Sequence, residues 1–518
     1  MKHFSKIAIA LFCVTVLLMQ SCKKETDGPF RLFATIERYK QDNKVHIETD
    51  NVGSFTCWDV GDQVTINGIL SEVCQDNDGY YIETRGGNYS DLGGHQEFAA
   101  LYPTSLFLAG GGDYHGTTTV NLFQTQDYIN GSNGTQKIYA PMIAYMDAGG
   151  LPPDNAHTMQ FINVCALIKV NITNTSGSPV GINRIEIVNS ADHPFWGRFN
   201  ANVSASEQSI TENAQYPDIA SKIITKKATL NVNGQTIETG ANNSKSFYIY
   251  VPAVAYSNLV MTVFTTDNRY RTYTGTVTGT FQPNTIYSKS ITYDGSTNWK
   301  TISNPTGDIG EFTVSAMRNS ETGITTYKKV SFAHGNLLPD GTIFTNQYDY
   351  KGWYGNNTDR FSSLPLSLPS GYSLLTSDEW NYLLTNENRG SARFVQAMVN
   401  YIPGMILFPD GSSISSYILT IGETSFPGMR FNGNNDNTSS PSYNAFNLEE
   451  WSILEAAGCV FLPRINWSGV NTITLAFHYW NQNGTTVYSG GVWVINCNYP
   501  VPSSGAYIRL VKEITTTE

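Results

Sequence analysis

Short runs of alternating apolar and polar residues, separated by Gly- and Asn-rich breaks, dominate this chain from about residue 30 to residue 297. Residues 168–172 (Ile-Lys-Val-Asn-Ile) alternate strictly, and residues 185–187 and 247–251 do so more loosely. A period of two gives a β-strand one apolar face, and no helical period longer than about two turns competes with it. The pattern predicts β-sheets throughout this stretch, and its length fits two β-sandwich domains, 30–155 and 156–297.

The composition supports sheets and excludes several other classes of protein. Of 518 residues, 14% are charged, 40% are hydrophobic and 12% are aromatic, with 45 Gly and 30 Tyr. A disordered chain needs more charge and fewer aromatics, and a coiled coil needs Ala, Glu, Lys and Leu in bulk. The formal net charge is −11, so the chain offers no basic track and no nucleic-acid partner is predicted.

The first 21 residues have the pattern of a secretory signal peptide. Lys2 and Lys6 precede an apolar run at 7–18, which is shorter than the roughly 20 residues that span a bilayer. The run ends in Leu-Met-Gln-Ser-Cys, which resembles a bacterial lipobox and implies that Cys22 is lipidated. We expect residues 22–29 to form a tether and the lipid alone to hold the chain at the outer membrane. The alternative is an ordinary signal peptide followed by a chance cysteine.

A second change in pattern follows a composition break at 295–307, and residues 298–308 are predicted to be a linker. Beyond it, two short helices are predicted from capping boxes. Thr376 with Glu379 begins the first, and Asn447 with Glu450 begins the second. Residues 309–518 are therefore predicted to form an α+β domain, and the chain as a whole is predicted to be mainly β.

Residues 30–297 resemble the Bacteroidales fimbrillins. The similarity rests on the order of several short segments, namely 33–36, 58–62, 102–103, 124–128, 140–144, 161–166, 247–252 and 258–263. The resemblance implies two transthyretin-like β-sandwich domains in a subunit or accessory protein of a surface pilus.

Residues 309–518 are similar to a C-terminal module of Bacteroidetes surface proteins that has a C-type-lectin-like fold. The matching segments are 330–337, 346–350, 375–384, 408–410, 455–463, 479–480 and 507–512. The resemblance implies a binding domain, and related modules include the formylglycine-generating sulfatase modifiers.

No residue pattern in the chain favours an enzyme, so catalytic residues, metal ligands and cofactors are not predicted. The eight histidines show no zinc-binding spacing, and neither a nucleophile elbow nor a phosphate-binding loop is present. At 480–482 an amide stands where calcium-binding lectins have a carboxylate. Disulfides between Cys57 and Cys74, or between Cys459 and Cys497, are left open, and Cys165 is predicted to be buried.

The stretch between 463 and 505 is rich in Trp, Tyr and Asn and nearly free of charge, which is typical of a paratope-like surface. We predict a ligand-binding face there for a glycan or a protein of a host or bacterial surface. The alternative is that alternate aromatics are core. The predicted face comprises Asn466, Trp467, Tyr479, Asn481, Asn483, Tyr488, Trp493, Asn498 and Tyr499.

Arg31 and Arg38 flank the first predicted strand, 32–36. The fimbrillin resemblance implies proteolytic maturation after an arginine near this position. Loss of the first strand would leave a groove that a strand of another fimbrillin subunit fills by donor-strand exchange. The alternative is that these are two ordinary surface arginines.

These observations predict a surface-exposed, fimbrillin-like lipoprotein that serves as a pilus tip or accessory subunit and acts as an adhesin. The alternative is an outer-membrane ligand-binding lipoprotein that never enters a pilus. An enzyme on the sulfatase-modifier scaffold is the hypothesis from a different class. It is disfavoured because the resemblance implies active cysteines near the C-terminus, where this chain has only Cys459 and Cys497, and Cys459 lies in a run typical of core.

Overall fold

The computed structural model is mainly β and contains two α-helices among the residues that it describes. It describes residues 31–37, 40–41, 58–76, 79–84, 97–107, 116–123, 125–130, 136–147, 158–189, 193–212, 226–256, 259–274, 279–301, 307–349, 360–365, 367–385, 394–415, 418–422, 424–427, 444–463, 466–468, 472–474, 477–490, 494–502 and 505–514. The mainly β class predicted from the alternation is confirmed.

The first part of the chain contributes strands to a closed barrel and to the sheets that follow. The strands are β1 (Arg31–Ile36), β2 (Lys40–Gln41), β3 (Gln63–Ile66), β4 (Ile69–Asp76), β5 (Gly79–Thr84), β6 (Glu97–Tyr102), β7 (Gly116–Leu122), β8 (Thr125–Asp127), β9 (Ile129–Asn130), β10 (Gln136–Lys137), β11 (Met142–Asp147) and β12 (Thr158–Asn163). A 3-10 turn at Thr104–Leu106 follows β6.

The barrel closes in the order β1-β12-β11-β6-β3-β4-β5. Its last strand in the sequence, β12, lies beyond position 155. Alternate strand residues point inward and pack around Trp58, whose ring meets the rings of Tyr102 and Phe161 edge-on at centroid distances of 5.1 and 5.0 Å. The barrel thus has a core of its own.

The central part of the chain forms three large sheets and a further two-stranded one, which we call the central sheets. Their strands are β13 (Cys165–Asn174), β14 (Val180–Val188), β15 (Gly197–Val203), β16 (Gln208–Glu212), β17 (Lys227–Ile237), β18 (Ser244–Pro252), β19 (Ala255–Tyr256), β20 (Val260–Thr265), β21 (Arg269–Thr274), β22 (Gly279–Thr280), β23 (Thr285–Tyr293) and β24 (Lys300–Thr301). The sheet orders are β18-β13-β23-β2, β24-β21-β20-β14-β17-β8 and β16-β15-β7, so β2, β7 and β8 join sheets built mostly from later residues.

Strand β13 lies in a middle layer because both of its faces are covered. Ile168 and Val170 contact the core shared with β14, whereas Cys165 and Leu167 contact a second core that includes Phe199. Strand β18 is the free edge of the same sheet, and side chains of the first part of the chain make hydrogen bonds with its backbone groups. The amide of Gln136 makes two hydrogen bonds with the Tyr248 backbone, both of 2.8 Å. The amide of Gln126 makes two with the Tyr250 backbone, of 2.8 and 3.0 Å, so both amides pair with the strand edge.

The remaining strands and both helices form what we call the C-terminal unit. The elements are β25 (Ile309–Arg318), β26 (Thr325–Leu337), α1 (Ser377–Thr385), β27 (Phe394–Val399), β28 (Ile402–Leu407), β29 (Ser412–Ser415), β30 (Ile418–Ile421), β31 (Thr424–Pro427), β32 (Ala445–Phe446), α2 (Leu448–Ala456), β33 (Val460–Pro463), β34 (Asn466–Ser468), β35 (Thr472–Thr474), β36 (Phe477–Trp480), β37 (Thr486–Gly490), β38 (Val494–Tyr499) and β39 (Ile508–Ile514). The sheet orders are β25-β26-β39, β32-β27-β28-β33, β29-β30-β31, β34-β35 and β36-β37-β38.

Both helices begin at the predicted capping boxes. In the first, the Thr376 hydroxyl accepts from the Glu379 N–H at 3.1 Å, and the Glu379 carboxylate accepts from the Thr376 N–H at 2.8 Å. In the second, Asn447 and Glu450 make the same reciprocal pair. These local predictions are confirmed because capping depends on residues only three positions apart.

The C-terminal unit shares one hydrophobic cluster with the central sheets. Val399, Ile402 and Trp451 of the C-terminal unit belong to the same buried cluster as Ile185 and Ile187 of β14. The stabilising free energy is roughly proportional to the apolar area that is buried, so this shared core opposes separation of the two parts.

A carboxylic acid is buried beside this shared core. Glu455 of α2 is 5% exposed, and its Oε1 accepts a hydrogen bond of 2.9 Å from Gln347 Nε2. Burial raises the pKa of Glu455 to about 7, and the hydrogen bond from Gln347 offsets only part of that rise. The acid therefore loses its proton near neutral pH.

We expect stability to depend on pH through Glu455. In the unfolded chain a glutamate titrates near pH 4.3, so between about pH 4.5 and 7 the folded protein binds the extra proton and the free energy of unfolding falls as the pH rises. Glu455→Gln should remove this dependence and be more stable than wild type at pH 8, by about 2–3 kcal/mol. Urea denaturation at pH 5 and pH 8 measures the effect. Glu449→Gln, on the exposed face of α2, is the control, and an equal response of the two variants would contradict the prediction.

Candidate ligand-binding face

The predicted face centres on the sheet β36-β37-β38 and on the hairpin β34–β35. The main chain of Asn466 and Trp467 lies in β34, and that of Tyr488 lies in β37. The side chains of these three residues, and the whole of Trp493, lie outside the described residues. For them, membership of the face stays a prediction.

Tyr479 is part of the core and is removed from the predicted face. Its side chain is fully buried, its hydroxyl donates to the Pro463 carbonyl at 3.2 Å, and it accepts from Asn336 Nδ2 at 3.3 Å. Its ring lies 5.7 Å from that of Tyr507 between centroids. No ligand can reach a side chain with this exposure.

The neighbouring residues His478 and Trp480 are also buried, each 5% exposed. Trp480 packs in a second, smaller core with Leu374 and Ile508, and its indole N–H donates to the Phe361 carbonyl at 3.0 Å. Strand β36 therefore has a core on each side. Alternation alone predicts one buried face for a strand, and this is why the sequence predicts an exposed Tyr479.

Asn481 organises the turn between β36 and β37 and does not face a ligand either. The residue is fully buried, and its Nδ2 donates to the Cys497 carbonyl at 2.7 Å and to the Thr485 hydroxyl at 2.8 Å. Its Oδ1 accepts from the N–H groups of Asn483 and Thr485. All the polar groups of this side chain are thus used to hold the turn.

Asn483 is exposed, but its Oδ1 is engaged by helix α1. It accepts hydrogen bonds from the Ser377 N–H at 3.0 Å and from the Ser377 hydroxyl at 3.3 Å. The first N–H groups of a helix have no partner within the helix, so Asn483 helps to satisfy them. Its amide nitrogen side remains at the surface.

Asn498 and Tyr499 remain accessible at the end of β38. Asn498 is exposed and its Oδ1 accepts from the Thr485 hydroxyl at 3.4 Å, while Tyr499 is 36% exposed with its ring 5.6 Å from that of His478. Asn496, also exposed, accepts from the Asn498 N–H at 2.9 Å. We call Asn483, Thr485, Asn496, Asn498 and Tyr499 the amide patch, and it is the described part of the predicted face.

The candidate maturation region lies at the other end of the chain. Arg31 begins β1, where its main chain pairs with Glu83 of β5. Arg38 and the lipidation candidate Cys22 lie outside the described residues. The predicted strand 32–36 is present as β1.

The described cysteines are free thiols, namely Cys74, Cys165, Cys459 and Cys497. Of the two pairings left open by the sequence, Cys459 and Cys497 are not joined and Cys74 is a free thiol, while Cys57 lies outside the described residues. Cys165 is buried as predicted. Burial raises the pKa of Cys497 to about 11, which keeps it a thiol at neutral pH.

Two further surveys cover the described residues only. Within them, no group of three or more His, Cys, Asp or Glu side chains is placed to hold a metal ion. Neither of the described helices has the length and apolar character needed to cross a membrane.

No protein-family model matches the chain, and no curated protein matches it. Solved structures similar to it include candidate cell adhesion proteins from Bacteroides ovatus (13% identity, TM-score 0.32) and Bacteroides uniformis (15% identity, TM-score 0.32), each covering 52% of this chain and 94% of that chain. A fimbrial protein from Bacteroides vulgatus is similar at 8% identity and a TM-score of 0.24, covering 51% of this chain and 95% of that chain. We base no conclusion on similarities this low.

Asn481 and Asn498 should respond differently to substitution. Asn481→Ala removes four hydrogen bonds and leaves the Cys497 carbonyl unpaired, so we expect a loss of about 2–3 kcal/mol in the free energy of unfolding. Asn498→Ala, on the exposed side of the same sheet, should cost less than about 0.5 kcal/mol. Chemical denaturation of both variants tests this, and equal losses would contradict the assignment of Asn481 to the scaffold.

Proposed function

We propose that this protein is a surface-exposed, fimbrillin-like lipoprotein that serves as a pilus tip or accessory subunit. It acts as an adhesin through a C-terminal domain, 309–518, of the C-type-lectin-like kind. Its partners are other fimbrillin subunits, a glycan or protein of a host or bacterial surface, and the outer membrane through lipid on Cys22. It catalyses no reaction.

The observation that carries this proposal is the position of β1 in the barrel. β1 pairs in parallel with β12 and antiparallel with β5, so it closes the barrel by itself. Its residues Leu32 and Ala34 are buried in the barrel core. Removing β1 leaves two unpaired strand edges beside an apolar slot, which is the surface that a donor strand fills.

Of the two candidate arginines, the geometry favours Arg38. Cleavage after Arg31 leaves Leu32–Ile36 in place, whereas cleavage after Arg38 removes the whole of β1. The shortened chain stays attached to the central sheets because β2 pairs with Thr285 and Ile286 of β23. Maturation at Arg38 therefore opens the groove without releasing the new N-terminus.

Lipid anchoring and fibre entry are successive states in this proposal. Cys22 precedes both arginines, so cleavage after Arg38 separates the lipid from the mature chain. The uncleaved protein stays at the outer membrane, where it resembles our second candidate, a ligand-binding lipoprotein outside any pilus. The closed barrel with β1 in place is the observation that favours that second candidate for the uncleaved chain.

The C-terminal unit fits a tip position better than a repeating one. It contacts Glu186 of β14 and shares a hydrophobic cluster with the central sheets, so it obstructs extension of a fibre there. The amide patch lies on this unit. Uncharged amides and an aromatic ring offer hydrogen bonds and a flat apolar face, which suit a sugar or a peptide.

Fibre entry tests the maturation step. We expect Arg38→Ala to block removal of β1, to keep the protein on the outer membrane and to abolish its incorporation into fibres of a fimbrillin partner. Arg31→Ala is the matched control and should mature normally. N-terminal sequencing and antibody labelling of fibres give the result. Normal incorporation of Arg38→Ala would refute maturation at Arg38, whereas absence of the wild-type protein from fibres would refute the pilus role and leave the second candidate.

Ligand capture tests the amide patch. On a glycan and host-protein array, the full chain with Asn498→Ala and Tyr499→Ala should bind at least about tenfold more weakly than wild type, with an unchanged melting temperature. Tyr327→Ala, at a tyrosine of the same unit that is 52% exposed, is the control. The full chain is required because the C-terminal unit shares its core with β14. Loss of binding with Tyr327→Ala alone would move the binding face elsewhere.

A further inference from the structure

The C-terminal unit reaches the central sheets through the tip of one hairpin. Val399 of β27 pairs with Ile402 of β28, so Asn400 and Tyr401 form a two-residue turn. Their φ angles are 49° and 65°, in the left-handed region that such turns require. Tyr401 takes this conformation although it is not glycine and is 38% exposed, whereas Asn400 is 6% exposed, so the packing that holds the turn acts at Asn400.

The tip places Asn400 on a buried carboxylate of the central sheets. Asn400 Nδ2 donates to Glu186 Oε2 at 3.0 Å. The other oxygen, Oε1, accepts from Lys227 Nζ at 3.4 Å and from Arg184 Nε at 3.0 Å. Glu186 is 3% exposed, Lys227 is 5% and Asn400 is 6%, so amine, amide and carboxylate meet almost free of solvent.

The surroundings of this cluster are partly aromatic and partly polar. The Arg184 guanidinium lies 3.8 Å from the centre of the Phe264 ring, and buried Tyr348 and half-buried Asp349 face it from the C-terminal unit. Burial alone would raise the pKa of Glu186, but the charges of Lys227 and Arg184 and the hydrogen bond from Asn400 lower it. Glu186 is thus the anion that both cations contact, and Asp349 acts on Arg184 as a second negative charge.

Of the two cations, only the lysine can pass a proton to Glu186, because an arginine guanidinium stays charged in proteins. A lysine amine that has given up its proton is a nucleophile. Its nearest carboxylate, Glu186, also holds the side-chain amide of Asn400. The amine at Oε1 and the amide at Oε2 are therefore neighbours across one carboxylate.

We propose that Lys227 and Asn400 form an intramolecular isopeptide bond, with Glu186 as the group that transfers the proton. Lys227 Nζ passes a proton to the Glu186 carboxylate and attacks Cγ of Asn400. The Nζ–Cγ bond forms and the Cγ–Nδ2 bond breaks. Nδ2 takes up the proton held by Glu186 and a second proton from Nζ, and it leaves as ammonium. No oxidant or reductant takes part, and Glu186 ends as a carboxylate.

The leaving group has an exit. A cleft of about 310 Å³ lies between the central sheets and the C-terminal unit, and its lining includes Glu186, Lys227 and Asp349. Because the reaction occurs once per molecule and loses ammonium to solvent, it needs no fast turnover. The bond ties the C-terminal unit to β17, and it forms whether or not the chain enters a fibre, so it is independent of the proposed function.

Mass spectrometry of the denatured full chain tests the bond. The mass difference between wild type and Lys227→Arg should exceed the difference between their sequences by about 17 Da, the mass of ammonia. A proteolytic digest of wild type should contain one peptide that joins Lys227 to Asn400, with no cleavage after Lys227. Lys227→Arg is the matched control because it keeps the cation beside Glu186.

Two further variants make the test decisive. Asn400→Asp should still cross-link, with loss of water, about 18 Da, in place of ammonia. Glu186→Gln should remain unlinked while Asn400 and Lys227 are both present. A folded wild-type protein with its full sequence mass and no joined peptide would overturn the proposal and leave Glu186 as a non-covalent contact between the two parts. Cross-linking in Glu186→Gln would refute its role in proton transfer.

Discussion

The barrel and the larger central sheets depend on strands that come from distant parts of the chain and pair with edges that would otherwise be exposed. An unpaired edge leaves a row of backbone N–H and C=O groups without partners. Here β1 closes the barrel against β12, β2 joins β23, β7 joins β15, and β8 joins β17. Because the last three pairings join strands of the first part of the chain to later strands, the first part and the central sheets are joined by main-chain hydrogen bonds as well as by a shared core.

Where no strand is available, side chains take over the same task. The amides of Gln126 and Gln136 pair with the backbone of β18, and Asn481 holds the turn before β37 in the same way. An amide side chain carries one acceptor and one donor group in a plane, as a peptide group does. The abundance of uncharged polar residues in this chain therefore serves the scaffold as well as the surface.

Features that depend on near neighbours could be predicted from the sequence. The capping boxes at Thr376 and Asn447, the strand at 32–36 and the burial of Cys165 all follow from residues a few positions apart. The candidate face could be predicted only in part. Tyr479 faces a core on the side where alternation expects solvent, because a second core covers the other side of β36.

Strand β14 shows which features the sequence determines and which only the tertiary structure determines. Its run Ile185-Glu186-Ile187 determines, by alternation alone, a strand with an apolar face and a polar face. The sequence could not show that the polar face is covered, since Glu186 reads as a solvated residue between two isoleucines. Only the tertiary structure brings Asn400, more than 200 positions away, onto its carboxylate. The residues of a strand determine which of its faces is apolar, and packing between distant segments determines which side chains contact each face.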